Sequence, residues 1–229
     1  MSIKVNDFFE IENFSHKALW KNIELFSALI NLPFYLKTLP LGQIKSPIPK
    51  GAILTSPESI FIDEDVIIES GTLIVGPCYI SRESIIRHGA FLRGNVFLSE
   101  RSVVGHATEV KNSIFLEGAA APHFAYVGDS ILGRDVNLGA GVKCANLKLN
   151  RKEIILNIEG EKVKTGLTKL GAIIGDNAQI GCNTVLNPGT VISKNAIIYP
   201  SLNIGGFIPS NSVVKPSQLS LPRIIRRKK

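Results

Sequence analysis

Residues 60–110 read IFIDEDVIIESGTLIVGPCYISRESIIRHGAFLRGNVFLSERSVVGHATEV, and an aliphatic residue recurs at every sixth position. Ile62, Ile68, Ile74, Ile80, Ile86, Leu92, Leu98, Val104 and Val110 follow one another without a gap. A second run, Ile174, Ile180, Leu186, Ile192, Ile198 and Ile204, keeps the same step. Neither the 3.6-residue period of a helix nor the two-residue period of an ordinary strand fits. Six residues make one short strand and one tight corner, and three such units close a triangular coil of about 18 residues. The aliphatic side chain points into the prism, and stacking buries the column continuously, so each coil depends on its neighbours. The fold expected is mainly β, a parallel β-helix over residues 51–215.

The flanks differ in character. In residues 1–50, HKALWKNIELFSALI puts Leu19, Ile23, Leu25, Phe26, Leu29 and Ile30 at helical spacings. This predicts a helix over about residues 15–31, with Pro33 and Pro40 breaking the chain beyond it. Residues 147–170 leave the hexad pattern. There EIILNIEGEKVKTG reads as two short strands around Glu159-Gly160. This excursion carries Lys148, Arg151, Lys152, Lys162, Lys164 and Lys169, and it suits either a solvated loop or a functional one. Residues 216–229 form a tail ending LPRIIRRKK. The tail reads as a solvated terminus or an anion-binding segment; nucleic acid is a weaker reading, because no aromatic residues interleave the charges.

Asp7, Glu10 and Glu12 interrupt what would be the apolar core of a signal peptide. No uncharged apolar run is long enough for a membrane span. Cys78, Cys144 and Cys182 are too few and too scattered for a disulfide framework or a zinc ribbon. A cytoplasmic location is expected.

Stacking selects candidate residues. Arg93 and Lys111 are 18 apart, and each directly follows an inward aliphatic residue. Two stacked cations call for an anion such as phosphate, or for screening by solvent. Glu109 and Lys111 flank inward Val110 and point to the same side. They suit an exposed ion pair, or a substrate with an ammonium at one end and a phosphate at the other. His88 and His106 are also 18 apart. They read as outward corner histidines rather than metal ligands, since His123 lies beyond a break in register, and no metal is expected. The period slips between Val110 and Leu132, where five-residue steps flank the trio Phe115, Ala121 and Val127. Within the slip lies APHFAYVGDS, and local rule-breaking in a regular array marks function. His123, stiffened by Pro122, is the expected general base, since an ordinary histidine titrates near pH ~6.5.

The stretch GHATEVKNSIFLEGAAAPHFAYVGDSILGRDVNLGAGVKCANLK, residues 105–148, together with KLGAIIGDN at 169–177, carries a more specific likeness. It resembles the acetyltransferase half of the bifunctional N-acetylglucosamine-1-phosphate uridyltransferases. It is still closer to the C-terminal domain of the archaeal-type sugar-1-phosphate nucleotidylyltransferases, over roughly residues 55–215. The resemblance implies a left-handed coil, a homotrimer with sites between neighbouring prisms, and a place in nucleotide-sugar biosynthesis. It implies acetyl transfer from acetyl-CoA to the amine of an amino-sugar 1-phosphate, without a covalent enzyme intermediate. By position, His123 matches the catalytic base and Asn146 an active-site asparagine. Arg93 and Lys111 match sugar-phosphate ligands, Glu109, Tyr126 and Asn137 match sugar-site residues, and Lys152 falls near a lysine of the same loop. Ala140, Cys182 and Tyr199 fall where such proteins hold CoA. No Gly-rich nucleotide-binding loop is present, so uridylyl transfer is not expected. The other readings are a non-catalytic sugar-phosphate-binding or partner subunit, and an O-acyltransferase.

Overall fold

A computed structural model describes residues 4–20 and 24–217. It is a parallel β-helix with three faces, each a ladder of eight parallel strands among these residues. The first face runs from Ile53–Thr55 to Asn203–Ile204, the second from Ile60–Ile62 to Phe207–Ile208, and the third from Ile67–Ile68 to Val213–Val214. The chain visits the faces in turn. The column residues from Ile62 to Val110 and from Ile174 to Ile198 all lie in one buried core, with Ile204 packed at its end. Each such side chain contributes roughly 1.5–3 kcal/mol on burial, so the column dominates the stability. Corners turn through left-handed residues, as at Asp65, Glu83 and Arg101.

The break in period has a definite place. Ile80 pairs with Leu98, 18 residues on, whereas Leu98 pairs with Phe115 and Phe115 with Leu132, each 17 on. Both lost residues come out of the corner between the first and second faces, in the steps Val110 to Phe115 and Val127 to Leu132. His123, between the two steps, pairs directly with His106. The expectation that the slip itself places His123 beyond the register of the other histidines is therefore corrected. A five-residue step shortens only the corner it spans, and His123 sits on a regular strand.

The excursion leaves from the same corner. The chain departs after Cys144 and rejoins the second face at Ala172–Ile174, where Leu132 pairs with Ile174. Ile155–Ile158 and Glu161–Lys164 form an antiparallel hairpin, turning through Glu159 and Gly160 at positive φ. Ile154, Leu156 and Ile158 are buried, so one side of this loop belongs to the core.

The N-terminal segment corrects the predicted helix. Helix α1 spans Ser27–Leu36, with Pro33 inside it, and Lys17–Leu19 is a single 3-10 turn. Asn31 Nδ2 donates to the carbonyls of Ala18 and Leu19, at 3.1 and 3.0 Å, which ties that turn to α1 and ends it. Burial of Ala28, Leu29, Leu32 and Leu36 outweighs the missing N–H of Pro33. Ile30 is exposed, and Ile23 lies outside the described residues. Buried and partly buried apolar residues described from Val5 to Leu39 pack on the outer side of the second face, against Tyr79, Phe97, Ile114, Ile131, Ile173, Val191 and Phe207. Phe61, Tyr79 and Phe97 stack coil on coil, with ring centroids 4.5 and 5.2 Å apart. The second face is thus covered by residues of this chain, and among the described residues none covers the first or the third in the same way.

Asp176 fastens the cover. Its carboxylate accepts the amides of Glu10 at 2.7 Å and Arg134 at 2.8 Å, and its own amide donates to the Phe8 carbonyl. Burial raises this carboxyl above its ordinary value, against the opposing pull of those amides. Its contribution to stability is therefore greatest below the ordinary carboxylate range and declines as pH rises through the raised value. Asp176→Ala leaves two amides without their acceptor and is expected to cost about 2–3 kcal/mol. Urea titration reads this, with proteolysis cutting the N-terminal segment first.

No helix among the described residues is long and apolar enough to cross a membrane. The basic tail, apart from residues 216 and 217, lies outside the described residues.

Candidate functional site

The first face brings five predicted residues together. Arg93 ends the strand Phe91–Arg93, and Glu109 and Lys111 bracket Val110 on the next strand. The expected Arg93–Lys111 stack is present in register, but each cation has its own carboxylate. Arg93 Nη1 lies 2.5 Å from Glu109 Oε1, and Lys111 Nζ lies 3.1 Å from Asp129 Oδ2. Glu109 raises the already high pKa of the guanidinium. An ion pair this exposed is weak, so a phosphate can take the carboxylate's place on Arg93.

Tyr126 begins the next strand and lies across the face. A Cβ on Gly128 would come within 2.6 Å of the Tyr126 hydroxyl and 2.9 Å of Asn146 Nδ2. Only glycine lets these two groups meet over the strand. Burial raises the Tyr126 phenol, with Glu109 and Asp129 adding to the shift and the Asn146 hydrogen bond opposing it. Asn146 Nδ2 also donates to Asp129 Oδ2, so its amide hydrogens face Asp129 and Tyr126 and its Oδ1 is left as an acceptor.

Asp129, 5% exposed, is the hub that sequence reasoning missed. It accepts from Lys111, from Asn146, and from Asn112 Nδ2 at 2.8 Å. Asn112 and Asp129 sit at the two shortened corners, with φ of 45° and 47°. The available signal was a 17-residue ladder, Asn112, Asp129 and Asn146, which a search at 18 passes over.

His123 is exposed and closes the third-face strand Ala120–His123, at the edge it shares with the first face. Backbone hydrogen bonds stack His88, His106, His123, Ala140 and Cys182 up this edge: each residue's carbonyl accepts from the residue that follows the next one up. The predicted CoA-side residues Ala140 and Cys182 thus stand above the predicted base, and Ser201 bonds Cys182 next to Tyr199-Pro200. At the usual inter-strand spacing, three coils above His123 is about 14 Å. His88 and His106 stack with centroids 5.6 Å apart, and the Nδ1 of each meets a backbone carbonyl. Above them Phe124, not the His123 ring, lies over His106 at 5.2 Å. Among the described residues no group of three or more His, Cys, Asp or Glu is placed to hold a metal.

Two predicted residues stand apart. Asn137 lies on the outer side of the third face, paired with Ala120 and Gln179. Lys152 is exposed in the excursion, where its amide bonds Asn150 Oδ1 at 3.1 Å. Asn146 is at the far edge of the first face from His123. Cys144 is buried, which pushes its thiol up to about 12 and leaves it inert.

The comparisons with known proteins fall on this region. Residues 74–168 match the family model described as the GMPPB C-terminal domain. The bifunctional sugar-1-phosphate nucleotidylyltransferase/acetyltransferase of Sulfurisphaera tokodaii is 45% identical over 84 residues, 37% of this chain and 21% of that protein. The bifunctional protein GlmU of Methanococcus maripaludis is 42% identical over 98 residues, 43% of this chain and 24% of that protein. The chain therefore spans only about a quarter or less of these relatives. A UDP-N-acetylglucosamine acyltransferase structure from Francisella novicida aligns over 72% of this chain and 62% of its own, with a TM-score of 0.43 and 13% identity. Residues 74–168 are thus similar to the GMPPB C-terminal domain, and the chain is similar to parts of a bifunctional sugar-1-phosphate nucleotidylyltransferase/acetyltransferase and of a bifunctional protein GlmU.

Proposed function

We propose that this protein is an acyltransferase that moves the acetyl group of acetyl-CoA to the amine of an amino-sugar 1-phosphate. The observation that carries this reading is the joint placement of a polar first face and an exposed histidine at its edge. Arg93 and Lys111 take the phosphate, while Glu109, Tyr126 and the Oδ1 of Asn146 take the sugar. The neutral amine attacks the thioester carbon while His123 takes the proton that the nitrogen sheds on becoming an amide. Backbone N–H groups stabilise the oxyanion, the C–S bond breaks, and CoA leaves as a thiolate that regains the proton. The edge above His123, past Ala140 and Cys182 to Tyr199, holds the CoA arm.

The active form in this reading is a homotrimer. The outer side of the third face presents Ile67, Ile85, Val103 and Ala120 on adjacent strands, an apolar ladder that no residue of this chain covers among those described. Packing there places Asn137, on the outer side of the third face, against the first face of a neighbouring copy, where it completes the sugar site. Ile85→Glu buries a charge in this contact and is expected to give a folded monomer by sedimentation, with activity lost; an unchanged trimer removes the third face from the interface.

A thiol-release assay with acetyl-CoA and a panel of hexosamine 1-phosphates tests the activity. Binding of the sugar phosphate by calorimetry without thiol release would instead make the protein a binding subunit.

A further inference from the structure

We propose that Asp129 is the positioning residue of the sugar-phosphate site; this rests on the function proposed above. The carboxylate is almost fully buried, and three side chains donate to it: Lys111 and Asn146 to Oδ2, and Asn112 to Oδ1. Two of these donors belong to the substrate site, and a third site residue, Tyr126, is reached through Asn146. One acidic group therefore fixes the ammonium of Lys111, the orientation of the Asn146 amide and, at one remove, the Tyr126 hydroxyl.

The chemistry left free follows from what Asp129 occupies. An ammonium has three N–H donors, and one is spent on Asp129, so two remain for phosphate oxygens. Since Asp129 accepts only, the Asn146 amide is locked with Nδ2 inward and Oδ1 available to a sugar hydroxyl. Corner formation alone does not require this side chain. The backbone there is held by the Asp129 amide on the Lys111 carbonyl and by the Gly171 amide on the Asp129 carbonyl. The two five-residue steps that shorten this corner stack Asn112, Asp129 and Asn146 on three successive coils with Asp129 in the middle, which gives the shortening a functional reason.

The test is steady-state kinetics on the full chain. Asp129→Asn turns an amide toward Lys111 and Asn146. It is expected to raise KM for the hexosamine 1-phosphate about 10- to 100-fold, with KM for acetyl-CoA within twofold of wild type and a similar melting temperature. Asp129→Glu keeps the charge but moves it by one methylene. The corner borders a cavity of about 270 Å³, so this variant has room to fold. It too is expected to raise the sugar-phosphate KM and not the acetyl-CoA KM, whereas a purely charge-balancing carboxylate would leave both unchanged. If wild type turns over and both variants keep its KM, the assignment of Asp129 falls alone. If wild type neither turns over nor binds glucosamine 1-phosphate, the proposed function falls and the assignment with it.

Discussion

His123→Ala is expected to lower kcat for acetyl transfer by about 100- to 10,000-fold, the range that a positioned general base supplies. The KM for the sugar phosphate is expected to stay within about threefold, because no hydrogen bond joins the His123 ring to the first-face network among the described residues. The fold should not respond. His123 is exposed, and its backbone is held by pairing with His106 and by the Gly141 amide on its carbonyl, at 3.0 Å. Loss of kcat at an unchanged melting temperature therefore separates a catalytic histidine from a structural one. Wild-type turnover in the variant removes His123 from the mechanism.

Gly105→Ala is expected to have the largest effect on the fold. A Cβ at this position would lie 1.7 Å from the Pro122 carbonyl oxygen and 2.0 Å from its carbon. Both are backbone atoms of the strand that carries His123, and no side-chain rotation relieves the clash. The strands Val103–His106 and Ala120–His123 must separate. Because every coil rests on its neighbours, the damage spreads along the column. Overpacking usually costs about 1–3 kcal/mol; a backbone clash of this depth is expected to exceed that and to appear as loss of soluble protein or a much lower melting temperature. Gly160→Ala is the control. It is left-handed at φ 89°, but nothing lies within 4 Å of a Cβ there, so only backbone strain of about 1 kcal/mol is expected. Equal stability of the two variants would show that the Gly105–Pro122 approach is not what holds these strands together.

Most of the β-helix was legible in the sequence because its core uses one residue type at one period. The hand of the coil was not, since a six-residue repeat is the same in either hand, and the resemblance supplied it. The N-terminal segment was misread for a different reason. Helical spacing in residues 15–31 reflects aromatic and aliphatic side chains docking on a sheet, and Asn31 bonds the carbonyls that would otherwise continue the first turn. Its role was nonetheless written elsewhere, in the apolar residue just before the inward position on every second-face strand, from Phe61 and Tyr79 to Val191 and Phe207. A face with apolar residues on both sides must be covered. In the site, pairs 18 apart were found because most coils have that length. Asp129 was passed over because its coils have 17 residues. Reading the slip as a property of His123 placed the irregularity on the strand between the two shortened corners rather than at those corners.

Acetyl transfer to the nitrogen of an amino-sugar 1-phosphate is tested most directly by product analysis. Wild-type protein is incubated with acetyl-CoA and glucosamine 1-phosphate or a related hexosamine 1-phosphate. Free thiol is counted while the sugar product is weighed by mass spectrometry and its amide identified by NMR. One thiol is expected to be released for each sugar phosphate that gains one acetyl group on nitrogen. Thiol release no faster than the hydrolysis blank with every hexosamine 1-phosphate, or acetyl found on oxygen, contradicts it.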